Sequence, residues 1–437
     1  MPERPALRVQ SRGGIGGRLR VPGDKSISHR ALILGAVANG DTRVRGFLES
    51  ADCLATAQAM RALGVNIERT APAEIRVCGV GLRGLSAPSR VLDLGNSGTA
   101  MRLLTGLLAA QDFDSALTGD ESLRRRPMER VAAPLRDMGA AVTTTDGRPP
   151  VRIEGGRHLV GRRHRLPIAS AQVKSALLIA GVYAEGTTCV EEPAPSRDHT
   201  ERLLRRFGCP VEADAAGVCV GGGHVLAARD VNVPGDFSSA AFFLVAAVVA
   251  GRTPLVVEGV GMNRTRTGLL DVLGRMGATI EILDLHDSGG EPIADLRAHP
   301  ACLRGTAVPA KLVPSMIDDL PAFLIAAACA AGPTQVTGAG ELRHKESDRL
   351  AAMAAGLRAL GCGVTEIPDG LQLEGGGIRG GRVDAQGDHR VAMAFAVAGA
   401  AARAPVEIVD VARIDTSYPG FVADARELGM DVRELRV

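Results

Sequence analysis

The sequence predicts an α/β protein assembled from six copies of one helix-and-strand unit, three to a domain, and three observations carry that prediction. A short segment recurs as RALGVNI, RDMGAAV, RRFGCPV, GRMGATI, RALGCGV and RELGMDV, with glycines at 64, 139, 208, 277, 361 and 429. Glycine just past a helix takes the left-handed cap conformation without strain, and the apolar residues that follow begin a strand. Upstream of each glycine, a small-residue apolar stretch opens near Ser26, Gly98, Ala171, Ser238, Asp318 and Asp388. The distance from opening to glycine stays between 37 and 43 residues. Two markers that keep step six times signal a repeat architecture. The third observation is composition: aromatics make up 3% and Trp is absent, so the core is aliphatic and alanine-rich.

Each unit therefore reads as a buried helix, a strand, an amphipathic surface helix ending in glycine, and further strands such as IRVCG and VCVGGG. Alternating helices and strands place the chain in the α/β group. No charge run or Ser/Gly linker divides it, and VNVPGD at 231–236 is the midpoint boundary. Two apparent dinucleotide fingerprints, Gly79-x-Gly81-x-x-Gly84 and Gly375-x-Gly377-x-x-Gly380, are followed by LSAPSR and GRVDA rather than by a helix start. They read as turns of the repeat.

Bulk properties exclude several functions. The 51 basic and 49 acidic residues nearly cancel, so any basic site is local and nucleic acid is not the partner. The longest apolar runs cover about a dozen residues, too few to cross a bilayer, and MPERPALRVQ has no apolar signal core. The eight cysteines show no C-x-x-C pair or ligand-like spacing with histidine, and read as reduced thiols in a cytoplasmic protein. No metal or organic cofactor is signalled.

The chemistry-bearing residues gather at the openings of the buried helices. PGDKSISHR puts Lys25, Ser26 and Arg30 around a helix start, where free N–H groups and the helix dipole favour an anion; the bland reading is a capped helix with solvated cations. GNSGTAMR offers Asn96, Gly98 and Thr99, with Arg102 a turn later, and a Gly-rich N-cap as its plain alternative. SAQVKSALL gives Ser170, Ala171 and Gln172 with Lys174 close behind, and GDHRVAMAF gives Asp388, His389 and Arg390. SRDHTER contributes Arg197, Asp198 and His199. The basic loop RRRPMER offers Arg124, Arg125 and Arg126; most such runs are solvated faces, but a guanidinium matches phosphate with two parallel bonds. IDDLPAF sets Asp318 and Asp319 before an aliphatic helix that one of them would ordinarily cap. HKESDRL packs Lys345, Glu346, Asp348 and Arg349 together, either as a surface helix start or as a carboxylic acid held among cations.

Taken in order, these segments resemble the 5-enolpyruvylshikimate-3-phosphate synthase family of enolpyruvyl transferases over the whole chain. The resemblance implies two similar domains, each of three βαβαββ units around parallel buried helices (an inside-out α/β barrel). Residues 1–22 plus 236–437 would form the first domain and 23–235 the second, with the active site in the cleft between them and domain closure as the gate. It further implies transfer of the enolpyruvyl group of phosphoenolpyruvate to the 5-hydroxyl of shikimate 3-phosphate, releasing phosphate, in the shikimate pathway of aromatic amino acid biosynthesis. By matching position, Lys25, Asn96, Gly98, Arg126, Arg349 and Arg390 would hold phosphoenolpyruvate. Ser26, Arg30, Ser170, Ala171, Gln172, Arg197, Asp318 and Lys345 would hold shikimate 3-phosphate. Glu346 would protonate the methylene carbon, Asp318 would accept or orient the 5-hydroxyl proton, and Lys25 would balance charge and assist. The resemblance leaves the division of acid and base roles among these three open. A cytoplasmic monomer without cofactors is the implied form.

The sequence departs from the pattern in places. DTSYPG at 415–420 lacks a lysine that some relatives carry, His344 stands where an apolar residue is common, and Leu103 replaces one branch's proline. The related transferase acting on UDP-N-acetylglucosamine typically has a reactive Cys or Asp in the loop near 113–127; here there is no Cys, although Asp114 and Asp120 are present. A non-catalytic phosphate-ligand-binding protein is the alternative of another class. Gly98 lacks the methyl group that narrows the phosphoenolpyruvate pocket in the glyphosate-tolerant branch, so glyphosate is expected to inhibit.

Overall fold

A computed structural model describes residues 4–214 and 217–436. The six glycines of the repeated segment have φ between 84° and 104°, a region that only glycine enters without strain. Each closes a short outer helix and turns the chain into a strand, as the spacing predicts.

The buried helices are Lys25–Ala36, Gly98–Leu108, Ala171–Tyr183, Phe237–Ala250, Leu320–Cys329 and His389–Ala401. Phe237 through Val248 and Leu320 through Ala328 are buried without interruption, so these helices have no solvent face. Around them the strands repeat one topology. With the Lys25 helix, the sheet runs Val231–Asn232, Asn39–Arg45, Glu74–Val80, Asn66–Ala71; the first pair is parallel and the others antiparallel. The same order recurs around the Gly98 helix, in strands Leu92–Asp93, Ser115–Thr118, Arg148–Glu154 and Ala141–Thr145. One sheet has three strands, and isolated parallel bridges at Arg304–Ala331 and Ala307–Gln335 stand in its missing place. Among the described residues all six sheets are open; none closes into a barrel.

By contacts the chain divides into two compact units: the stretch up to Pro22 with Pro234–Asp287 and Glu291 onward, and Gly23–Val233 with Ser288–Gly290. Each has its own aliphatic core. In the first, strands Pro5–Ser11 and Ile15–Leu19 complete the sheets of the His389 and Phe237 helices, so the ends of the chain share one core.

Small residues decide how closely the helices approach. A Cβ built on Gly106 would lie 2.2 Å from the Ala176 carbonyl oxygen of the neighbouring helix. Alanine would add about 1 kcal/mol of helix propensity there. Overpacking against backbone costs about 1–3 kcal/mol or more, and backbone cannot rotate away. The clash wins, and Gly106→Ala is expected to lower the urea midpoint; an unchanged or raised midpoint would refute the close approach.

Two sequence readings need correction or completion. Cys189 and Cys219 are not reduced thiols but a disulfide, because they occupy facing positions on antiparallel strands Thr187–Glu191 and Gly217–Gly221. A separation of 30 residues gave no hint of that register. The first glycine triplet opens no helix: Gly79 lies in strand Glu74–Val80, where a Cβ would meet the carbonyl oxygens of Ala38, Gly35 and Gly40 within 2.8 Å, and the turn of the repeat follows at residues 81–84.

Candidate active site

In each unit, side chains at the N-terminal ends of the three buried helices are tied to one another. Within the Gly23–Val233 unit, Asp24 and Ser97 cap their helices by accepting from Ile27 N at 2.9 Å and Ala100 N at 3.2 Å. Ser170 accepts from Val173 N at 3.4 Å. His29, buried, lies 3.5 Å from Ser97 and joins the first helix to the second. Burial, with Lys25 and Arg30 adding to it, holds that imidazole well below its ordinary pKa and therefore neutral. Gln172 joins the third helix to the second: it accepts from Arg102 Nη1 at 2.5 Å and donates to Thr99 at 2.9 Å. Arg30 returns from the first helix to the third through Ser175, at 2.7 Å, and also donates to Thr200 and to the Ser26 carbonyl.

Lys25 donates to Asp52 at 3.0 Å, with both side chains mostly buried. The sequence reading had no sign of Asp52, which lies in the first turn of the outer helix Ala51–Ala62. Of the three arginines in the basic loop, Arg124 and Arg125 are exposed, whereas Arg126 is buried and donates to Asn96 at 2.7 Å. Asn96 in turn donates to Asp120 at 2.8 Å. A Cβ on Gly98 would stand 2.9 Å from Arg126 Nη1 and 3.1 Å from Arg102 Nη1, so the missing side chain makes room for two guanidinium groups. Ser26, Ala171 and Arg197 are partly exposed.

Lys174 faces inward. It is 3% exposed and sits 2.9 Å from Glu192 and 2.8 Å from Glu201. Burial opposes its charge, but the two glutamates outweigh burial and raise its pKa. Glu192 also accepts from Ser170 N at 2.9 Å and Ser196 Oγ at 2.7 Å, which fixes the helix start beside it.

The other unit carries the acids. Arg349 is 1% exposed and reaches three carboxylates: Asp388 at 2.8 Å, Glu346 at 2.5 Å and Asp318 at 3.4 Å. Burial alone would lower its pKa; Asp388, Glu346 and Asp318 outweigh that and hold it firmly charged. Lys345 stands 3.7 Å from Asp318. Arg390 donates to the Asp318 carbonyl at 3.0 Å. Asp388 does double duty, with Oδ1 capping its helix by accepting from Arg390 N at 2.9 Å and Oδ2 accepting from Arg349. Arg266, absent from the sequence reading, donates to Asp236 and Ser238 at the head of the Phe237 helix, each at 2.9 Å.

One expectation fails here. Neither Asp318 nor Asp319 caps the Leu320 helix: Asp319 holds the N-cap position without a side-chain cap bond, and Asp318 turns toward Lys345 and Arg349. The backbone approaches through helix Val313–Met316, so Asp319 has helical rather than extended dihedrals, and its carboxyl does not fold back over the first turn.

Of the residues singled out by sequence, then, the structure brings Asp318, Lys345, Glu346, Arg349 and Arg390 together in one unit. Lys25, Ser26, Arg30, Asn96, Gly98, Arg126 and Ser170 to Gln172 lie at linked helix openings in the other. Fixed cations and helix N-termini can hold phosphate and carboxylate, and carboxyls touching a guanidinium can exchange protons with what it holds. Fold and side chains define an α/β repeat protein equipped for anionic metabolites. Comparison with known proteins specifies which. Residues 9–424 match the sequence model of EPSP synthase (3-phosphoshikimate 1-carboxyvinyltransferase), and the chain belongs to that family. It is 58% identical to the 3-phosphoshikimate 1-carboxyvinyltransferase of Halorhodospira halophila, covering 97% of this chain and 96% of the relative. Against the enzyme of the same name from Methylococcus capsulatus the identity is 55%, with 96% of each covered. The solved structure of EPSP synthase from Acinetobacter baumannii superposes with a TM-score of 0.88 at 47% identity, covering 98% of this chain and all of the other. The enolpyruvyl transferase NikO from Streptomyces tendae, 21% identical and covered in full by a full-length match, shares the fold with a TM-score of 0.80.

Proposed function

We propose that this chain transfers the enolpyruvyl group of phosphoenolpyruvate to the 5-hydroxyl of shikimate 3-phosphate and releases phosphate. The observation that carries the reading is the buried Arg349 with Asp318 and Glu346 both in reach, Lys345 and Arg390 alongside. Two polyanions repel each other, and a fixed cationic frame brings them together without reorganising at the moment of reaction. Arg349, Arg390, Lys25, Arg126, Asn96 and Gly98 are assigned to phosphoenolpyruvate. Ser26, Arg30, Ser170, Ala171, Gln172, Arg197, Asp318 and Lys345 are assigned to shikimate 3-phosphate. Glu346 gives its proton to the methylene carbon while the 5-oxygen bonds to the neighbouring carbon and its proton passes to Asp318. Collapse of the tetrahedral intermediate breaks the carbon–oxygen bond to phosphate and returns the methylene proton, with Lys25 balancing the charge.

Asp114 and Asp120, the carboxylates that kept a UDP-sugar acceptor open, favour the same reading. Asp114 accepts from Gly155 N at 2.9 Å, and Asp120 caps Leu123 N at 2.8 Å while holding Asn96. Both are engaged in holding the loop. The test is phosphate release with both substrates, run in parallel with UDP-N-acetylglucosamine as acceptor. Turnover only with shikimate 3-phosphate supports the proposal; turnover only with the UDP-sugar, or binding without turnover, rejects it.

Gly98 supplies a sharper check. A methyl group there forces Arg126 Nη1 and Arg102 Nη1 to give way. Losing one well-placed charge-assisted bond, about 1.5–3 kcal/mol, corresponds to roughly a ten- to hundredfold change. Gly98→Ala is expected to raise KM for phosphoenolpyruvate within that range. Glyphosate should inhibit the unaltered protein competitively with phosphoenolpyruvate and the variant less. No inhibition at millimolar glyphosate, or an unaltered KM, would count against this pocket assignment.

A further inference from the structure

Five of the six buried helices carry a side-chain cap, from Asp24, Ser97, Ser170, Asp236 and Asp388. The sixth, Leu320–Cys329, has an aspartate at the same position that does not cap. Asp319 is 2% exposed, and its Oδ1 has no hydrogen-bond partner among the described residues. A buried carboxylate left so has to be compensated by charge or take up a proton.

Its surroundings say which charges matter. Arg390, from the His389 helix, places Nη1 3.9 Å from Asp319 Oδ1 while donating to the Asp318 carbonyl. Arg266, ahead of helix Gly268–Arg275, is already bonded to Asp236 and Ser238 of the Phe237 helix. Asp318, the preceding residue, adds a like charge. Burial, helped by the like charge of Asp318, outweighs the pull of Arg266, Arg390 and the Ser238 hydroxyl, and the net result is an Asp319 carboxyl raised to about 6. Three buried helices thus meet at one carboxyl poised between its two states.

We infer that Asp319 is a proton-linked positioning residue: an anion seated on Arg390 and a proton on Asp319 are taken up together. The inference rests on the assignment of Arg390 to phosphoenolpyruvate. A bound anion adds negative charge on the far side of the same guanidinium, so the ionised carboxyl becomes harder to keep and neutral Asp319 becomes the preferred partner of the occupied site. Linkage fixes the sign. Above the raised titration range of the complex, Asp319 stays ionised throughout and opposes binding. As pH falls toward about 6, it enters the neutral form and the opposition disappears. Proton uptake on Asp319 and substrate binding strengthen each other by the same factor.

The test compares KM for phosphoenolpyruvate in the unaltered protein and in Asp319→Asn as a function of pH. The ligand's own ionisation affects both proteins and cancels in the ratio. At about pH 8 the unaltered protein should have a KM roughly five- to tenfold higher than Asp319→Asn, and by about pH 5.5 the ratio should approach one, with kcat changing less than KM. Ser238→Ala keeps the carboxyl but removes a hydroxyl that favours its charge, so the fall in KM should begin at higher pH; this variant also serves if Asp319→Asn folds poorly. A ratio that is flat with pH, a higher KM in Asp319→Asn at every pH, or an unmoved transition in Ser238→Ala overturns the inference. Arg390→Gln, run alongside, separates the two levels. An unchanged KM in Arg390→Gln removes the anion-site assignment and the linkage with it, while a raised KM with a flat ratio removes the linkage alone.

Discussion

Glu346→Gln is expected to leave both substrates bound while kcat falls by about 10² to 10⁴, the usual contribution of a positioned general acid or base. Glutamine keeps the length and shape of the side chain, and its carbonyl oxygen can still accept from Arg349 Nη2, which lies 2.5 Å from Glu346 Oε2. What it cannot do is give or receive a proton. The charge lost is one of three facing Arg349; Asp388 and Asp318 remain, so the guanidinium stays anchored and KM should move by only a few-fold. The split between kcat and KM is what identifies the role, because a purely structural Glu346 would disturb both. Steady-state phosphate release, with equilibrium binding of each substrate to the variant, checks it. A kcat close to that of the unaltered protein would move proton delivery to Lys25 or Asp318.

The repeat was legible because its markers are local and physical. A glycine needed at positive φ repeats wherever the outer helix ends, as at Gly64 and Gly429, and a helix buried on all sides reads as an unbroken aliphatic run, as at Phe237–Ala250. The openings of those helices were also visible, since Lys25, Asn96 and Arg390 are costly to place against such runs unless they have work there. Pairings were hidden. Asp52 holds Lys25 from 27 residues away, on a surface helix whose sequence is unremarked. Lys174 looks like a ligand cation until Glu192 and Glu201 arrive from a loop and an outer helix. Cys189 and Cys219 depend on register across two strands. Asp319 shows the subtlest failure: an N-cap residue type at an N-cap position does not cap, because the incoming turn sets its backbone in the wrong region. Residue type and spacing report which groups a segment offers; only tertiary packing determines which group each one meets.

Arg349→Met should have the largest effect on stability. Its guanidinium is 1% exposed and compensates Asp388, itself fully buried, together with Glu346 and Asp318, whose side chains are 14% and 12% exposed. A buried ion pair exchanged whole for apolar groups is often neutral, because desolvation offsets attraction. Removing one partner is different: the remaining charges stay buried without compensation, and the loss is about 3–5 kcal/mol. Methionine fills most of the volume, so packing alone does not account for such a loss. Urea denaturation of the unaltered protein and the variant measures it, and a loss below about 1 kcal/mol would show that the carboxylates are stabilised by their other partners. The double variant Arg349→Met with Asp388→Asn decides the cause. Asp388 Oδ1 keeps its cap bonds to Arg390 N and Val391 N through the amide oxygen of asparagine, so the second change removes the orphaned charge and reverses only the bond from the Ser347 hydroxyl, which can accept from the new amide. Recovery of part of the lost stability in the double variant assigns the loss to buried charge; a further fall, with the two losses adding, would assign it to packing and would leave the electrostatic account of this network without support.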